Sequence, residues 1–242
     1  MSLLALSGVT RRFGALTAVD TVDLVLDAGD CVGVIGPNGA GKSTLLALMV
    51  GDQRPDAGRL VLDGRDITRL AVHERVRAGI ARAAQIPQTF ASLSVLDSVR
   101  LPALFGAGLP DRAALDWAGE VLTLCGLADK AQATAGALGL LDRKRLELAK
   151  ALAARPRVLL LDEIAAGLTE PEVETMVHLV QGLREGRAIL WVEHIPMALK
   201  AACERLIVMD RGAKTLDGPF AQVWADPGLQ AVYMGVPADA AA

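Results

Sequence analysis

The hydrophobic pattern changes period along the chain. Near the N-terminus Val22, Leu24 and Leu26 alternate with polar positions, and Leu3 to Ser7, Cys31 to Ile35 and Arg59 to Leu62 are short apolar runs of strand character. Asp27-Ala28-Gly29-Asp30 and Asp63-Gly64-Arg65-Asp66 carry turn chemistry between them. From Pro110 the spacing becomes helical: Ala114, Leu115, Ala118, Val121, Leu122 and Cys125 share a face, Asp111, Arg112, Asp116 and Glu120 lie off it, and Gly126 is placed to close the helix. A second helix is expected from about Asp142 through Ala154. In the final third, apolar runs at Val158 to Leu161, Ala188 to Val192 and Leu206 to Met209 alternate with a helix from Glu172 to Leu183 and a short helix opening at Pro196. Continuous apolar strands interleaved with helices predict a parallel sheet covered on both faces, an α/β core with a helical lobe inserted at about residues 86 to 149. The expected organisation is one domain over 1–236, with its core at 1–85 and 150–236 and a frayed tail at 237–242.

Composition narrows the class. The 242 residues are 52% hydrophobic, yet no stretch offers the roughly 20 uncharged residues of a membrane-spanning helix. The longest uncharged run, Ala83 to Leu96, is interrupted by Gln85, Pro87, Gln88, Thr89, Ser92 and Ser94. The apolar residues of the first six positions precede Arg11 and Arg12, the reverse of a secretory signal, so a cytoplasmic location is expected. Aromatic residues make up only 3% of the chain and the formal charge is −3, a poor basis for stacking bases or displacing phosphate counterions, so nucleic acid is not an expected partner. Cys31, Cys125 and Cys203 are odd in number and far apart, which suits small buried apolar residues better than a disulfide framework or metal cluster.

The chemistry concentrates in Gly36-Pro37-Asn38-Gly39-Ala40-Gly41-Lys42-Ser43-Thr44, a G-x-x-x-x-G-K-[ST] phosphate loop between the apolar run 31–35 and the helical run 45–49. Its glycines let backbone N–H groups curl around phosphates, the helix N-terminus adds partial positive charge, Lys42 reaches the β- and γ-phosphates, and Ser43 offers a hydroxyl to Mg²⁺. Val158-Leu159-Leu160-Leu161-Asp162-Glu163 supplies a second acidic site at the end of a buried strand: Asp162 for Mg²⁺, Glu163 to polarise a water in line with the γ-phosphate.

With both motifs in place, the chain resembles the ATP-binding subunits of ABC transporters from about Leu3 to Gly235, and most closely those of branched-chain (hydrophobic) amino acid importers. That closer likeness is carried by Gly79-Ile80-Ala81-Arg82, Arg145-Leu146-Glu147-Leu148-Ala149, Asp162-Glu163-Ile164-Ala165-Ala166-Gly167-Leu168, Val192-Glu193-His194, and the terminal Asp226-Pro227 and Tyr233-Met234-Gly235. The resemblance implies a P-loop NTPase core with a mainly parallel sheet, an antiparallel β subdomain near the N-terminus and an inserted helical subdomain. It implies ATP and Mg²⁺ as cofactors, and Phe13 as the aromatic that stacks on adenine. It further implies Gln85 as a metal- and water-linked glutamine, with Gln88 as rival, and His194 as a switch histidine contacting the γ-phosphate. Asn38, Gly39, Ala40, Gly41 and Thr44 complete the nucleotide site. His73 and His178 match nothing and read as surface or packing residues; the run Arg143-Lys144-Arg145 reads as a solvated face offset by Glu147.

The implied partners are a second ATPase subunit, identical or different, integral membrane permeases on the inner face of the plasma membrane, and indirectly an extracytoplasmic solute-binding protein. One segment departs from the family pattern. The signature loop that caps ATP in the other subunit, ordinarily Leu-Ser-Gly-Gly-Gln, aligns with Leu138-Gly139-Leu140-Leu141-Asp142. Gly139 removes a hydroxyl, Leu141 replaces a glycine, and Asp142 is expected to bring negative charge toward the γ-phosphate, partly offset by the cationic run 143–145, or simply to cap the following helix. This raises two readings: an ATPase of an asymmetric heterodimer that powers solute uptake, or a regulatory nucleotide-binding subunit with little hydrolysis. Ile164 stands where Pro is common, and Thr169 where Asn or Asp is usual.

Overall fold

The computed structural model describes residues 2–86 and 90–234. Its first half comprises β1 (Leu4–Phe13), β2 (Leu16–Leu26), β3 (Cys31–Ile35), α1 (Lys42–Val50), β4 (Ala57–Leu62), β5 (Arg65–Asp66), α2 (Val72–Ala78), β6 (Ile80–Ala83), α3 (Val95–Phe105) and α4 (Asp111–Leu124). Then come α5 (Leu140–Ala153), β7 (Val158–Asp162), α6 (Glu170–Gly182), β8 (Ala188–Val192), α7 (Pro196–Ala202), β9 (Arg205–Asp210), β10 (Ala213–Pro219), α8 (Phe220–Trp224) and α9 (Pro227–Met234).

Two sheets form. The antiparallel one runs β2-β1-β4-β5; the other runs β10-β9-β3-β8-β7-β6, parallel throughout except for β10, which returns antiparallel to β9. The apolar runs are unbroken because both faces of the parallel sheet are covered. Val158 and Leu160 of β7, Leu190 of β8, Val32 and Val34 of β3 and Met209 of β9 pack toward α1 and the antiparallel sheet. Leu159, Leu161, Trp191, Ile35 and Leu206 point the other way, into a core shared with α3, α4, α5, α6 and α7. Helices α3, α4 and α5 pack on one another in the segment between β6 and β7.

The helix expected from Asp142 begins two residues earlier, because Gly139, in extended conformation, is the N-cap. Asp142 is therefore a first-turn residue and not the cap. The helix expected from Glu172 begins at Glu170, with Thr169 as N-cap in a capping box with Glu172. Thr, Asn and Asp are all favoured N-caps, so the unusual Thr169 keeps that local role. Cys31, Cys125 and Cys203 are buried and free, and burial pushes the Cys125 thiol up to about 12. The side chain of Ile164 is fully buried, while His73 and His178 are exposed.

Candidate functional site

The phosphate loop joins β3 to α1 and is held against the sheet through backbone. Gly36 and Gly41 have φ of 156° and 99°, and a Cβ on either would stand 2.1 Å from the carbonyl oxygen of Met209 or of Ala18. Both positions are closed to any side chain on steric as well as conformational grounds. Gly39, at φ 82°, has open space where a Cβ would go, leaving the middle of the loop accessible to a ligand. Gly212 N–H donates to Ala40 O at 3.0 Å, so the loop between β9 and β10 braces the same turn. Lys42 opens α1, and its Nζ donates to Gly36 O at 2.7 Å and Pro37 O at 3.0 Å, across the mouth of the loop. Burial lowers the Lys42 pKa, and the carboxylates of Glu163 and Asp162 oppose that shift.

Three segments converge beside Lys42. Glu163 follows β7, with its N–H donating to Val192 O at 2.9 Å, and its backbone sits at φ 47°, a left-handed conformation that a non-glycine residue adopts only under constraint. Gln85, beyond β6, donates from Nε2 to Glu163 Oε2, and His194, beyond β8, places Nε2 2.5 Å from Glu163 Oε1. Both oxygens of one largely buried carboxylate are thus engaged. Asp162 is buried beside it, and its pKa is raised by burial first and by Glu163 next, against Arg82, Lys144 and Lys42. Ser43 hydroxyl, Asp162 carboxylate and Gln85 amide supply hard oxygen donors of the kind Mg²⁺ takes, and no cluster of His, Cys, Asp and Glu among the described residues offers an all-protein metal cage. The residues present suit a metal that is completed by phosphate and water.

Phe13 ends β1, half-exposed, with the Arg11 guanidinium 4.7 Å from its ring centroid. Arg11 is itself tied to Asp56 and Gln53, so one face of the ring rests on a fixed cation. Gln88 lies outside the described residues.

The loop Leu138-Gly139-Leu140-Leu141-Asp142 enters α5 with no side chain capping the helix, since Gly139 has none to offer. Leu140 is 48% exposed and Leu141 packs against the helical core. Asp142 does not present free charge as the sequence suggested. Its carboxylate is engaged by Lys130 and by Arg145, the latter at 3.3 Å, and is only 14% exposed. The run 143–145 is also not a solvated face: Lys144 is buried, and Glu147 pairs with Lys150 at 2.6 Å instead.

Two buried ionisable residues at the site escaped the sequence reading. Lys144 Nζ donates to Gln85 O at 2.7 Å and Glu163 O at 3.1 Å. Glu193 is fully buried; it accepts from Ala165 N–H at 2.7 Å, Trp191 Nε1 at 3.2 Å and His194 N–H at 3.2 Å, and burial raises its pKa. A signal for Lys144 existed, since it falls in register with Leu148 and Leu152 on the buried stripe of α5.

Residues 19–166 match the family described as ABC transporter. This chain belongs to the ABC transporter ATP-binding family. It is 32% identical to the high-affinity branched-chain amino acid transport ATP-binding protein BraF of Pseudomonas aeruginosa, over 96% of this chain and 98% of that protein. It is 30% identical to the lipopolysaccharide export system ATP-binding protein LptB of Escherichia coli, over 97% and 98%. It is 35% identical to the methionine import ATP-binding protein MetN of Mesorhizobium japonicum, over 90% of this chain but 60% of that one. The ADP conformation of MJ1267, an ATP-binding cassette of an ABC transporter, superposes with a TM-score of 0.87 at 27% identity, covering 98% of this chain and all of that one. Members of this family are ATPases coupled to transport, and the relatives span import and export, so the substrate is not established by likeness.

Proposed function

We propose that this chain is the ATPase subunit of an importer for a small solute, with branched-chain or other hydrophobic amino acids as the leading class. The observation that carries the catalytic part is the meeting of Gln85, Glu163 and His194 next to the phosphate loop. Backbone amides of Gly36 and of Asn38 to Thr44, with Lys42, would bind the ATP phosphates, Ser43, Asp162 and Gln85 would hold Mg²⁺, and Phe13 would stack on adenine. Bound Mg²⁺ offsets charge on the β- and γ-phosphates. Glu163 accepts the proton of the attacking water, oriented by Gln85 on one oxygen and His194 on the other. Residues 138–142 serve the nucleotide of a second ATPase subunit. The amino acid assignment is supported by the match with BraF along nearly the full length of both chains.

No helix among the described residues is long and apolar enough to cross a membrane. In this reading the partners are membrane permeases, which would hold this subunit at the inner face of the membrane. A cavity of about 560 Å³ between α2, β6, α3 and α5, rimmed by exposed Phe90, suits a permease segment. Gly139, which leaves the loop without a hydroxyl, favours the regulatory reading in part. Phosphate release from MgATP by the full assembly separates the two: Glu163→Gln should lower turnover by about 10²- to 10⁴-fold with ATP binding retained, whereas negligible wild-type turnover would establish the regulatory role.

A further inference from the structure

Glu163 is held in an unfavourable backbone conformation, and its own strand does not explain how. Its N–H is fixed by Val192 O, and its carbonyl accepts from Ala166 N–H at 3.2 Å, one turn ahead. The second partner of that carbonyl is the buried Lys144 Nζ, which also holds the carbonyl of Gln85. Lys144 arises one turn into α5, two residues beyond the loop 138–142. It is 3% exposed, and its hydrogen bonds run to main-chain oxygens, not to a carboxylate.

Such a placement is costly unless it does something a neutral residue could not. A buried ammonium gives up its hydration. Here that loss is met by two carbonyl dipoles and, at longer range, by Glu193, Glu163, Asp162 and Glu147, the carboxylates whose fields oppose its desolvation. A surface-facing Lys at this position would leave the Gln85 carbonyl to water and the Glu163 carbonyl with Ala166 N–H alone. The geometry instead joins three segments through one atom: the start of α5, the turn after β6 that carries Gln85, and the turn after β7 that carries Glu163.

We infer that Lys144 is a positioning residue for hydrolysis, which locks the main chain of Gln85 and Glu163 in register and ties both to the entrance of α5. It acts through the two main-chain carbonyls, by fixing where the Glu163 carboxylate and the Gln85 amide stand. The inference rests on Glu163 being the general base, but the two can fail separately. Because Lys144 follows the loop 138–142 in α5, movement of that loop reaches the Gln85 and Glu163 carbonyls through the Lys144 side chain itself.

The test compares full-length wild type, Lys144→Met and Lys144→Arg by two readouts. Hydrogen exchange on the full-length nucleotide-free chain should show faster exchange in residues 162–168 and 84–86 of Lys144→Met, with β1 and β2 unchanged, and recovery in Lys144→Arg. In the assembled complex, kcat should fall by about 10- to 100-fold, as expected for lost hydrogen bonds from a charged donor, with KM for ATP within about threefold, and Lys144→Arg should regain most of the loss. Unchanged exchange at 162–168 would overturn the inference, as would turnover of Lys144→Met within twofold of wild type. Exchange accelerated equally across all segments, with no rescue by Arg, would reduce Lys144 to a general structural role and also overturn it. A wild type that does not hydrolyse ATP would overturn the assignment of Glu163 while leaving the exchange result to decide the positioning.

Discussion

Arg75 of α2 offers the sharpest test of how the phosphate-loop helix is held. Its side chain is fully buried. The guanidinium donates to Leu48 O at 2.5 Å and Met49 O at 3.0 Å in the last turn of α1, to Thr68 O at 2.9 Å and to Leu70 O at 3.2 Å. A cation at a helix C-terminus is favoured by the helix dipole and satisfies carbonyls that have no partner within the helix. Burial lowers the Arg75 pKa, Arg54 adds to that and Asp66 opposes it, but the group stays charged at any accessible pH. Arg75→Met retains the apolar stem and removes every donor. Hydrogen bonds from a charged donor contribute roughly 1.5–3 kcal/mol each, and the carbonyls nearest the surface can regain water, so a net loss of about 3–5 kcal/mol is expected. A loss of that size is a large part of the roughly 5–15 kcal/mol that holds a domain folded. Urea unfolding followed by circular dichroism should show the midpoint falling by about 1–2 M, with Arg75→Lys intermediate. A loss below about 1 kcal/mol for Arg75→Met would refute the reasoning, because it would mean that the four carbonyls do not depend on this guanidinium.

Two pH-dependent effects follow from other carboxylates. For Asp217, burial pushes the pKa up, but hydrogen bonds from Arg205 at 2.6 and 2.8 Å and from Lys214, with their charges, outweigh it and leave the pKa lowered. The folded state then binds this proton less readily than the unfolded chain, so the contribution is present above the unfolded pKa of about 4 and is lost as pH falls through the lower folded value. Asp217→Asn should cost about 1 kcal/mol near pH 7, as a partly screened pair of bonds would, and the gap to wild type should close in acid titrations of unfolding. Asp162 has the opposite sign: its raised pKa means that stability declines as pH rises from the unfolded value through the higher folded one. Asp162→Asn should therefore melt at higher temperature than wild type at pH 7 to 8 in nucleotide-free buffer, with the difference shrinking below pH 4, and an equal or lower melting temperature at pH 8 would contradict the burial argument.

The parallel core was legible because β3, β7, β8 and β9 are buried on both faces, which writes a continuous apolar run into the sequence. The helix α7 was legible from Pro196 at its first turn. By contrast β10, Ala213–Pro219, alternates intermediate and exposed residues and contains Gly218, so its pairing with β9 leaves no apolar signature. β1 runs on to Phe13 through register shifts after Leu6, Val9 and Arg11, and each shift breaks the alternation by which a strand is recognised. In the site, Lys42, Asp162 and Glu163 were readable from local motifs. Gln85 and His194 needed the family likeness, since what unites them with Glu163 is the adjacency of β6, β7 and β8 in the sheet, separated widely in sequence. Lys144 and Glu193 were missed because charge normally marks solvent, and only tertiary packing shows these two to be buried.

The loop 138–142 changes meaning once its surroundings are known. A carboxylate at Asp142 invites the idea that it repels the γ-phosphate of the nucleotide it faces, but Lys130 and Arg145 engage that carboxylate, and the Lys130 pKa is raised chiefly by its hydrogen bond to Asp142. What remains of the departure is a missing donor at Gly139 and a bulkier approach through Leu140 and Leu141. Charge repulsion and a missing donor respond differently to salt. Repulsion between charges weakens as ionic strength rises, with a Debye length of about 10 Å at 0.1 M falling to about 3 Å at 1 M; an absent hydroxyl does not. If the half-site contributed by this chain is weak for want of a donor, turnover at the partner's nucleotide should not rise as salt is increased, and Gly139→Ser should raise it by several-fold, on the order of one neutral hydrogen bond. Recovery of turnover with salt alone, and none from Gly139→Ser, would return the defect to electrostatics and to Asp142.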